Sequence, residues 1–416
     1  MRVKHLRHKD KERYLSFNKL VFDNEHLDEE LDKLMFHNPF SSVEEDCFYI
    51  EEDEQIVSSL ILTKKNHRVG RRQFRVGEYD IVGTHPDFRG KGYCRELMEY
   101  SFETMKKDNI FLCRLIGIPN FYQQFGFEYS VPAYFYNYVN LHKEKLKSCK
   151  SVYTTKIIDD FTDDILSKIN QVFAHASREN FGSEVRSVDY LRYMIKEKTI
   201  ENGSNWFGIY DEDDLYGYAW LKTDKNRILI KEIAVLNDTA SESFCSALYK
   251  DIMTNDMTEI GIRSPLNNAF AQYVYKKGAT FSCNSELFEG TWGEMYKILD
   301  LKQALVGILD SLNECLNQSK YHDLNGSYRI VTENDKATLV IKDGTIVVTD
   351  DDGLEVSIQS NIFTPVYTGY KSIDHYGDDI DYPNNHVRQV FETLFTKGHP
   401  YIWTLDINDS LNEITY

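Results

Sequence analysis

The feature that most constrains the fold is a change of hydrophobic period between residues 73 and 118. Gln73–Thr84 reads as a strand, and His85-Pro-Asp-Phe-Arg-Gly-Lys-Gly92 reads as a turn. From Tyr93 the pattern becomes helical, with Cys94, Leu97, Met98, Phe102 and Met105 on one face up to about Lys107. Ile110–Ile118 is then an apolar strand. Strand, tight turn, helix and strand make an α/β unit.

Around this unit the chain divides into three parts. Residues 1–150 open with polar helical patterns around Lys11–Phe36. Two strands follow, Ile56–Thr63 and Gln73–Thr84, with a basic turn expected at Lys64–Arg72, and an aromatic stretch, Phe121–Tyr138, closes the part. Residues 151–300 repeat the order. A helix is expected at Thr162–Ala176, then strands at Trp206–Tyr210, Tyr216–Lys222 and Ile228–Leu236, a helix at Ser241–Met253 and a strand at Glu259–Ser264. Residues 301–416 read as a small α+β domain. Helical Leu301–Leu316 precedes four short strands within Gly326–Gln359, joined by Asn-Asp, Asp-Gly and Asp-Asp-Gly turns, and two more helical stretches follow. The expected fold class is therefore α/β and α+β.

Composition narrows the function. Apolar residues at 42% and aromatics at 13% suffice for a large core and exclude general disorder. No window approaches the run of about 20 apolar residues that spans a bilayer, and the N-terminus MRVKHLRHKDKERYL has no apolar h-region. The seven cysteines are scattered, without C-x-x-C spacing, so neither a disulfide frame nor a metal site is expected. The reading is a soluble, cytoplasmic protein. A net charge of −18 argues against nucleic acid or an anionic membrane as the main partner. The charge is uneven: residues 62–95 carry nine basic and three acidic side chains, whereas residues 301–416 carry eight and eighteen. One reading is a solubilising surface with a charged hairpin. The other is a basic island for one compact polyanion on a chain whose acidic remainder favours a cationic second substrate.

The turn favours the second reading. Glycines let main-chain N–H groups approach a ligand together, and a helix start leaves unpaired donors that suit a pyrophosphate. Arg89, Lys91 and Arg95 add full charges. The spacing is neither that of a P-loop nor a complete dinucleotide turn. With a strand before it and an amphipathic helix behind it, the turn resembles the acyl-CoA-binding signature of the GCN5-related N-acetyltransferases (GNAT), Arg/Gln-x-x-Gly-x-Gly/Ala. Here it reads Arg89-x-x-Gly92-x-Cys94, departing at the last position. The resemblance implies acetyl-CoA as cosubstrate and no metal. Val82, Gly83 and Thr84 would offer main-chain groups to the pantetheine arm, and the amides of Gly90, Lys91, Gly92, Tyr93, Cys94 and Arg95 would cradle the pyrophosphate beside the Arg89 charge.

Beyond the next strand, Gly117-Ile-Pro-Asn-Phe-Tyr-Gln-Gln-Phe-Gly-Phe127 is similar to the family's second landmark. Tyr122 matches the tyrosine that protonates the departing thiolate as general acid. Taken alone, Tyr122 is one packing aromatic among 28 tyrosines; its spacing from the phosphate turn favours the catalytic role. A degraded copy of this landmark, Tyr275-Lys-Lys-Gly-Ala-Thr-Phe281, lies 152 residues downstream. At that offset Pro86 falls on Asp238, Arg89 on Ser241, Gly92 on Phe244 and Tyr122 on Val274, so the second copy is expected not to bind CoA.

Tandem GNAT folds, the second degenerate, followed by a small α+β domain, resemble the enhanced intracellular survival (Eis) acetyltransferases, whose C-terminal domain is sterol-carrier-protein-like. That resemblance implies an N-acetyltransferase acting on a small-molecule or peptide amine. It also implies homo-oligomers, hexamers among them, and a C-terminal carboxylate, here on Tyr416, serving as base. The competing function is a non-catalytic acyl-CoA sensor or lipid-binding scaffold protein.

Overall fold

The computed structural model of the chain describes residues 2–69, 72–118, 120–132, 138–198, 204–224, 226–254, 256–282 and 293–401. In chain order the strands are β1 (Val3–His5), β2 (Cys47–Glu52), β3 (Gln55–Val69), β4 (Arg72–Thr84), β5 (Leu112–Gly117), β6 (Glu128–Val131), β7 (Tyr138–His142), β8 (Thr154–Ile157), β9 (Ser183–Glu184) and β10 (Ser204–Asp211). They continue with β11 (Asp214–Asp224), β12 (Arg227–Val235), β13 (Glu259–Arg263), β14 (Thr280–Ser282), β15 (Gly293–Ile298), β16 (Gly326–Val331), β17 (Lys336–Lys342), β18 (Thr345–Thr349) and β19 (Leu354–Ser357). The helices are α1 (Lys11–Phe22), α2 (Leu27–Leu31), α3 (Val43–Asp46), α4 (Tyr93–Lys107), α5 (Asp163–Ala176), α6 (Val188–Lys198), α7 (Asp238–Ala247), α8 (Ala269–Lys276), α9 (Leu301–Gly307), α10 (Leu309–Asn317), α11 (Ser360–Tyr367) and α12 (Asn385–Leu394).

Three sheets organise these elements. The first runs β1-β2-β3-β4-β5-β15-β6, with β9 added beside β3; the second runs β8-β10-β11-β12-β13-β7-β14; the third runs β18-β17-β16-β19. The first two orders correspond position by position, and in each the sixth place is filled from the other part of the chain. β15 lies between β5 and β6, pairing Gly293 with Gly117 and Tyr296 with Glu128. β7 lies between β13 and β14, pairing Leu141 with Ile260 and Asn140 with Thr280. The two large sheets therefore exchange strands across the expected cut at 150.

Each of the two large sheets contains one parallel pair that parts after four rungs. β4 pairs β5 from Val76/Leu112 to Tyr79/Leu115, then runs on alone on that side to Thr84. β12 pairs β13 from Arg227/Glu259 to Ile230/Ile262, then runs on to Val235. At both partings the long strand carries an extra residue against its antiparallel neighbour, Asp80 in β4 and Lys231 in β12. A bulge bends and overtwists its strand, which accounts for the divergence.

The basic turn expected at Lys64–Arg72 is corrected. β3 and β4 stay paired as far as Val69/Arg72, so most of that segment is ladder. Its charges are tolerated because the chain supplies partners: Lys64 meets Asp108 at 2.7 Å, Lys65 meets Glu78 at 3.0 Å and Arg72 meets Asp310 at 3.2 Å.

Packing follows from the alternation. On one face of the first sheet, Leu62, Tyr79, Leu115 and Met295 meet Leu97, Met98 and Met105 of α4, each fully buried aliphatic contributing about 1.5–3 kcal/mol. Gly77 is required there, since a β carbon would sit 2.2 Å from the Met105 sulfur. On the other face, Val76, Leu112 and Tyr296 share a core with Leu305, Phe363 and Tyr367 of the C-terminal domain. The C-terminal sheet is a meander through β16, β17 and β18 with β19 parallel to β16. Its β17–β18 connection is the two-residue Asp343-Gly344 loop with both φ values positive, 49° and 71°, as a type I′ turn requires. No helix among the described residues is long and apolar enough to cross a membrane.

Candidate active site

The site begins where β4 leaves β5. Val82 and Gly83 lie on opposite faces of the strand. Val82 packs at the edge of the α4 cluster, while a β carbon at Gly83 would meet Val21 and Phe22 of α1 at 3.0 Å. Thr84 ends the strand with its hydroxyl 2.9 Å from Ser58 Oγ, which also donates to the Gly83 carbonyl at 2.9 Å. The β3-side groups are thus engaged, and the β5-side edge of residues 81–84 is the one the parting leaves without a ladder.

The turn that follows is closed by its own residues. Pro86–Phe88 forms a short 3-10 turn capped by His85 Nδ1, which accepts from the Asp87 N–H at 3.2 Å. Arg89 Nε donates back to the Thr84 carbonyl at 3.3 Å. Gly90 and Gly92 have φ of 77° and 86°, a left-handed conformation that costs other residues about 1–2 kcal/mol. A β carbon at either would meet nothing within 4 Å, so the turn faces open space. Gly92 is the N-cap of α4 and supplies no side-chain cap, and Glu96 N–H makes the bond to Gly92 O at 3.0 Å. The amides of Tyr93, Cys94 and Arg95 are the orphan donors of the first turn.

Three cations surround this turn, and none is ion-paired with a carboxylate among the described residues. Arg89 and Lys91 are exposed, Lys91 lying 4.2 Å from the Phe88 ring centroid. Arg95 donates to neutral Gln124 Oε1 at 2.9 Å and stands 4.9 Å from the centre of Phe125. Lys64, Lys65 and Arg72 of the same basic island are ion-paired, whereas these three are not. The Tyr93 side chain is turned away: its hydroxyl donates to Glu52, and Arg2 sits over its ring at 5.1 Å while bonding Glu96 at 2.7 Å. Only the Tyr93 amide faces the turn.

Tyr122 opens the 3-10 turn Tyr122–Phe125 after β5. Gly126 closes that turn at φ 81°. The phenol is buried in the cluster that holds Tyr93, with Val82, Phe88 and Cys94 at its border. Burial, then the neighbouring Cys94 sulfur, holds its hydroxyl well above the usual phenol range. The Cys94 thiol is itself pushed up to about 11 by burial, against the pull of Arg95. Both groups are therefore protonated near neutral pH: Tyr122 can donate a proton or hydrogen bond, and Cys94 is no nucleophile. Tyr416 lies outside the described residues.

The charged cluster beneath the parting went unread. Arg114, buried within β5, bonds Glu78 of β4 and, at 2.9 Å, Glu294 of β15, and Lys65 joins Glu78 at 3.0 Å. Burial works to raise the Glu78 carboxyl, but Arg114 and Lys65 outweigh it and bring it down to about 2. The sequence signal was an arginine inside the apolar run Ile110–Ile118, which demands a buried anion.

The second copy differs at the corresponding helix start. Gly126 and Gly278, 152 residues apart, both sit at positive φ just before a short strand. The helix starts do not keep that offset. The N-cap of α7 is Asn237, so Gly92 corresponds to Asn237 and not to Phe244. The helical stretch runs on through Leu248–Ile252, and the shift arises after it, mainly between β13 and Gly278, where α8 stands in place of the 3-10 turn Tyr122–Phe125. The Asn237 side chain accepts from the Ala240 N–H at 2.8 Å. One orphan donor is thereby satisfied internally, and no glycine opens the backbone.

Residues 2–130 match the sequence profile of the acetyltransferase (GNAT) domain. They span β1 to β6 of the first sheet, which β15 completes. Three solved structures are similar over the full three-part chain. A conserved protein of Enterococcus faecalis, described as a probable N-acyltransferase, is 16% identical with a TM-score of 0.73, covering 96% of this chain and 98% of its own. A GCN5-related N-acetyltransferase of Anabaena variabilis is 12% identical with a TM-score of 0.74, covering 97% and 99%. Eis1 of Mycobacterium abscessus is 10% identical with a TM-score of 0.66, covering 96% and 99%. No curated protein matches by sequence. At such identities the likeness is one of fold.

Proposed function

We propose that this protein is an acetyl-CoA-dependent N-acetyltransferase that moves an acetyl group directly to a primary amine of a cationic acceptor. The observation that carries the reading is the parting of β4 from β5, which ends in an uncapped glycine turn at α4 with Tyr122 close by. The pantetheine arm would extend along Val82, Gly83 and Thr84 on the edge that β5 leaves. The pyrophosphate would rest on the amides of Gly90–Arg95, with Arg89, Lys91 and Arg95 neutralising it. The amine lone pair attacks the thioester carbonyl, the C–S bond breaks, and the Tyr122 hydroxyl donates to the departing sulfur. Cys94, kept protonated, offers no covalent relay, which favours direct transfer.

The Tyr416 carboxylate is proposed as the base that frees the ammonium, tested by removing the last residue. The C-terminal part is proposed as sterol-carrier-protein-like. Its core packs on Val76, Leu112 and Tyr296, which supports bracing the first sheet over carrying a lipid. Homo-oligomer assembly belongs to the same proposal and is read by light scattering. The deciding experiment titrates the purified chain with acetyl-CoA and follows thiol release with aminoglycosides, polyamines and lysine peptides. Saturable binding with turnover on at least one amine is expected. Binding without turnover on any of them would favour an acyl-CoA sensor, and absence of binding would end the proposal.

A further inference from the structure

Behind α4, away from the phosphate turn, a cleft of about 540 Å³ separates the first sheet from the C-terminal domain. Phe102 and Lys106 of α4 line it, with Lys297 of β15 and Asp335, Ser360 and Thr364 of the C-terminal domain. Lys297 is half-buried and reaches over Gly126, where a β carbon would lie 2.7 Å from its Nζ; the ammonium stands 5.3 Å from the Phe102 ring centroid. It forms no ion pair or hydrogen bond among the described residues.

The anions around it are engaged or apart. Asp335 accepts from the Leu301 and Lys336 amides at 2.7 and 2.8 Å. Glu333 holds the start of α11 through the Ser360 amide and hydroxyl at 3.0 and 2.7 Å. On α4, Glu103 pairs with Lys106 at 3.3 Å, and Glu99 lines the same wall. Beneath, the Cys113 thiol points to the Lys297 carbonyl at 3.7 Å. Burial lowers the Lys297 ammonium from the usual amine range and Lys106 adds to the effect, against Cys113 and Glu333. A larger share of this amine is neutral near pH 7 than of an exposed lysine.

We propose that Lys297 is an acylation site of this chain, its ε-amine taking the acyl group of a thioester that enters the cleft. Nζ bonds to the carbonyl carbon, the C–S bond breaks, and the sulfur leaves as a thiolate that takes up the proton released by the amine. The products are a neutral amide and a thiol, so the seam between α4 and the C-terminal domain loses a half-buried cation that has no ion-pair partner among the described residues. The step makes no use of Tyr122 or the phosphate turn.

The test incubates the full chain at pH 7, 8 and 9 with acetyl-CoA, or with the short thioester S-acetyl-N-acetylcysteamine, and follows acetylation of Lys297 and Lys106 by peptide mass spectrometry. Lys106 is the internal control, lying on the same wall but ion-paired and exposed. Lys297 is expected to react several-fold faster than Lys106 at pH 7 with either donor. Tyr122→Phe should leave the Lys297 rate unchanged. Lys297→Arg should remove that modified peptide without moving the melting temperature. A Lys297 rate no higher than that of Lys106, or modification by acetyl-CoA alone that Tyr122→Phe abolishes, would overturn the assignment. Failure to acetylate any added amine would count against the proposed transferase and leave this result standing.

Discussion

Glu78 of β4 and Arg114 of β5 stand directly opposite each other one rung before the two strands part. The last charge clamp of the parallel ladder therefore lies at the foot of the opening proposed for the thioester. Arg114 is buried and also bonds Glu294, so one guanidinium ties together β4, β5 and β15. Removing it by Arg114→Ala leaves two carboxylates buried beside a single lysine. A loss of about 3–5 kcal/mol is expected, the size seen when one partner of a buried pair is deleted. Urea denaturation measures it. The triple change Arg114→Met, Glu78→Gln, Glu294→Gln should recover much of that loss, because the buried guanidinium and both buried carboxylates are then replaced by neutral side chains.

The same clamp sets an acid limit. Folding holds the Glu78 carboxyl at about 2 against an ordinary 4.5. A depressed carboxyl contributes its full stability above the unfolded value and loses it as the pH falls toward the folded one. Stability should therefore drop between about pH 4.5 and 2, and the Glu78→Gln protein should show a shallower drop over that window. Equal slopes in denaturation series from pH 6 to pH 2.5 would contradict the assignment.

Tyr122→Phe separates chemistry from packing. The ring contacts with Phe121 and Phe127 remain, and only the hydroxyl is lost. The turnover number is expected to fall about 10²-fold, the lower range for a general acid, with the acetyl-CoA Kd unchanged. Burial keeps the phenol protonated, so the fold-loss should be the same at pH 6 and pH 9. Undiminished transfer at saturating substrates would take Tyr122 out of the mechanism.

The strand, turn and helix around Gly90 and Gly92 were legible because each local signal agreed: alternation to Thr84, two glycines, then apolar spacing from Tyr93. Asp343-Gly344 marked its hairpin for the same reason. Other features depended on partners far away in sequence. Lys64 and Lys65 read as turn residues because nothing local announces Asp108 and Glu78, which allow them to lie in a ladder. β15 and β7 are six and five residues long, and short alternating segments carry no mark of which sheet they will enter. The single 152-residue offset fixed the paired glycines Gly126 and Gly278 but missed the helix starts, since the connection from β13 to Gly278, which carries α8, is longer than the one from β5 to Gly126.

Occupancy should be one acetyl-CoA per chain, because the Asn237 cap at the second helix start replaces the open glycine turn of the first. Gly92→Val meets no steric obstacle but forces a β-branched residue to φ 86°. A backbone cost of about 1–2 kcal/mol follows if the turn keeps its shape; if it relaxes, the amides are redirected. In either case acetyl-CoA should bind roughly tenfold more weakly with the second sheet undisturbed. Calorimetry reads both numbers; two sites per chain would contradict the assignment of the second copy.

The exchange of β15 and β7 makes the two large sheets mutually dependent. A chain ending at residue 150 lacks the strand that joins β5 to β6, so the ladder from Leu112 to Gly117 loses its partner and Met295 leaves the α4 core. The β7 it retains loses β13 and β14, presenting an unpaired edge of the kind that drives aggregation. Residues 1–150 alone should therefore show no cooperative urea transition and should associate, whereas co-expression with residues 151–416 should restore a soluble complex. In the intact chain, denaturation followed by Trp206 and Trp220 fluorescence in the second sheet should coincide with loss of the acetyl-CoA site in the first. A monomeric 1–150 fragment with its own sharp transition would show that the borrowed strand is dispensable.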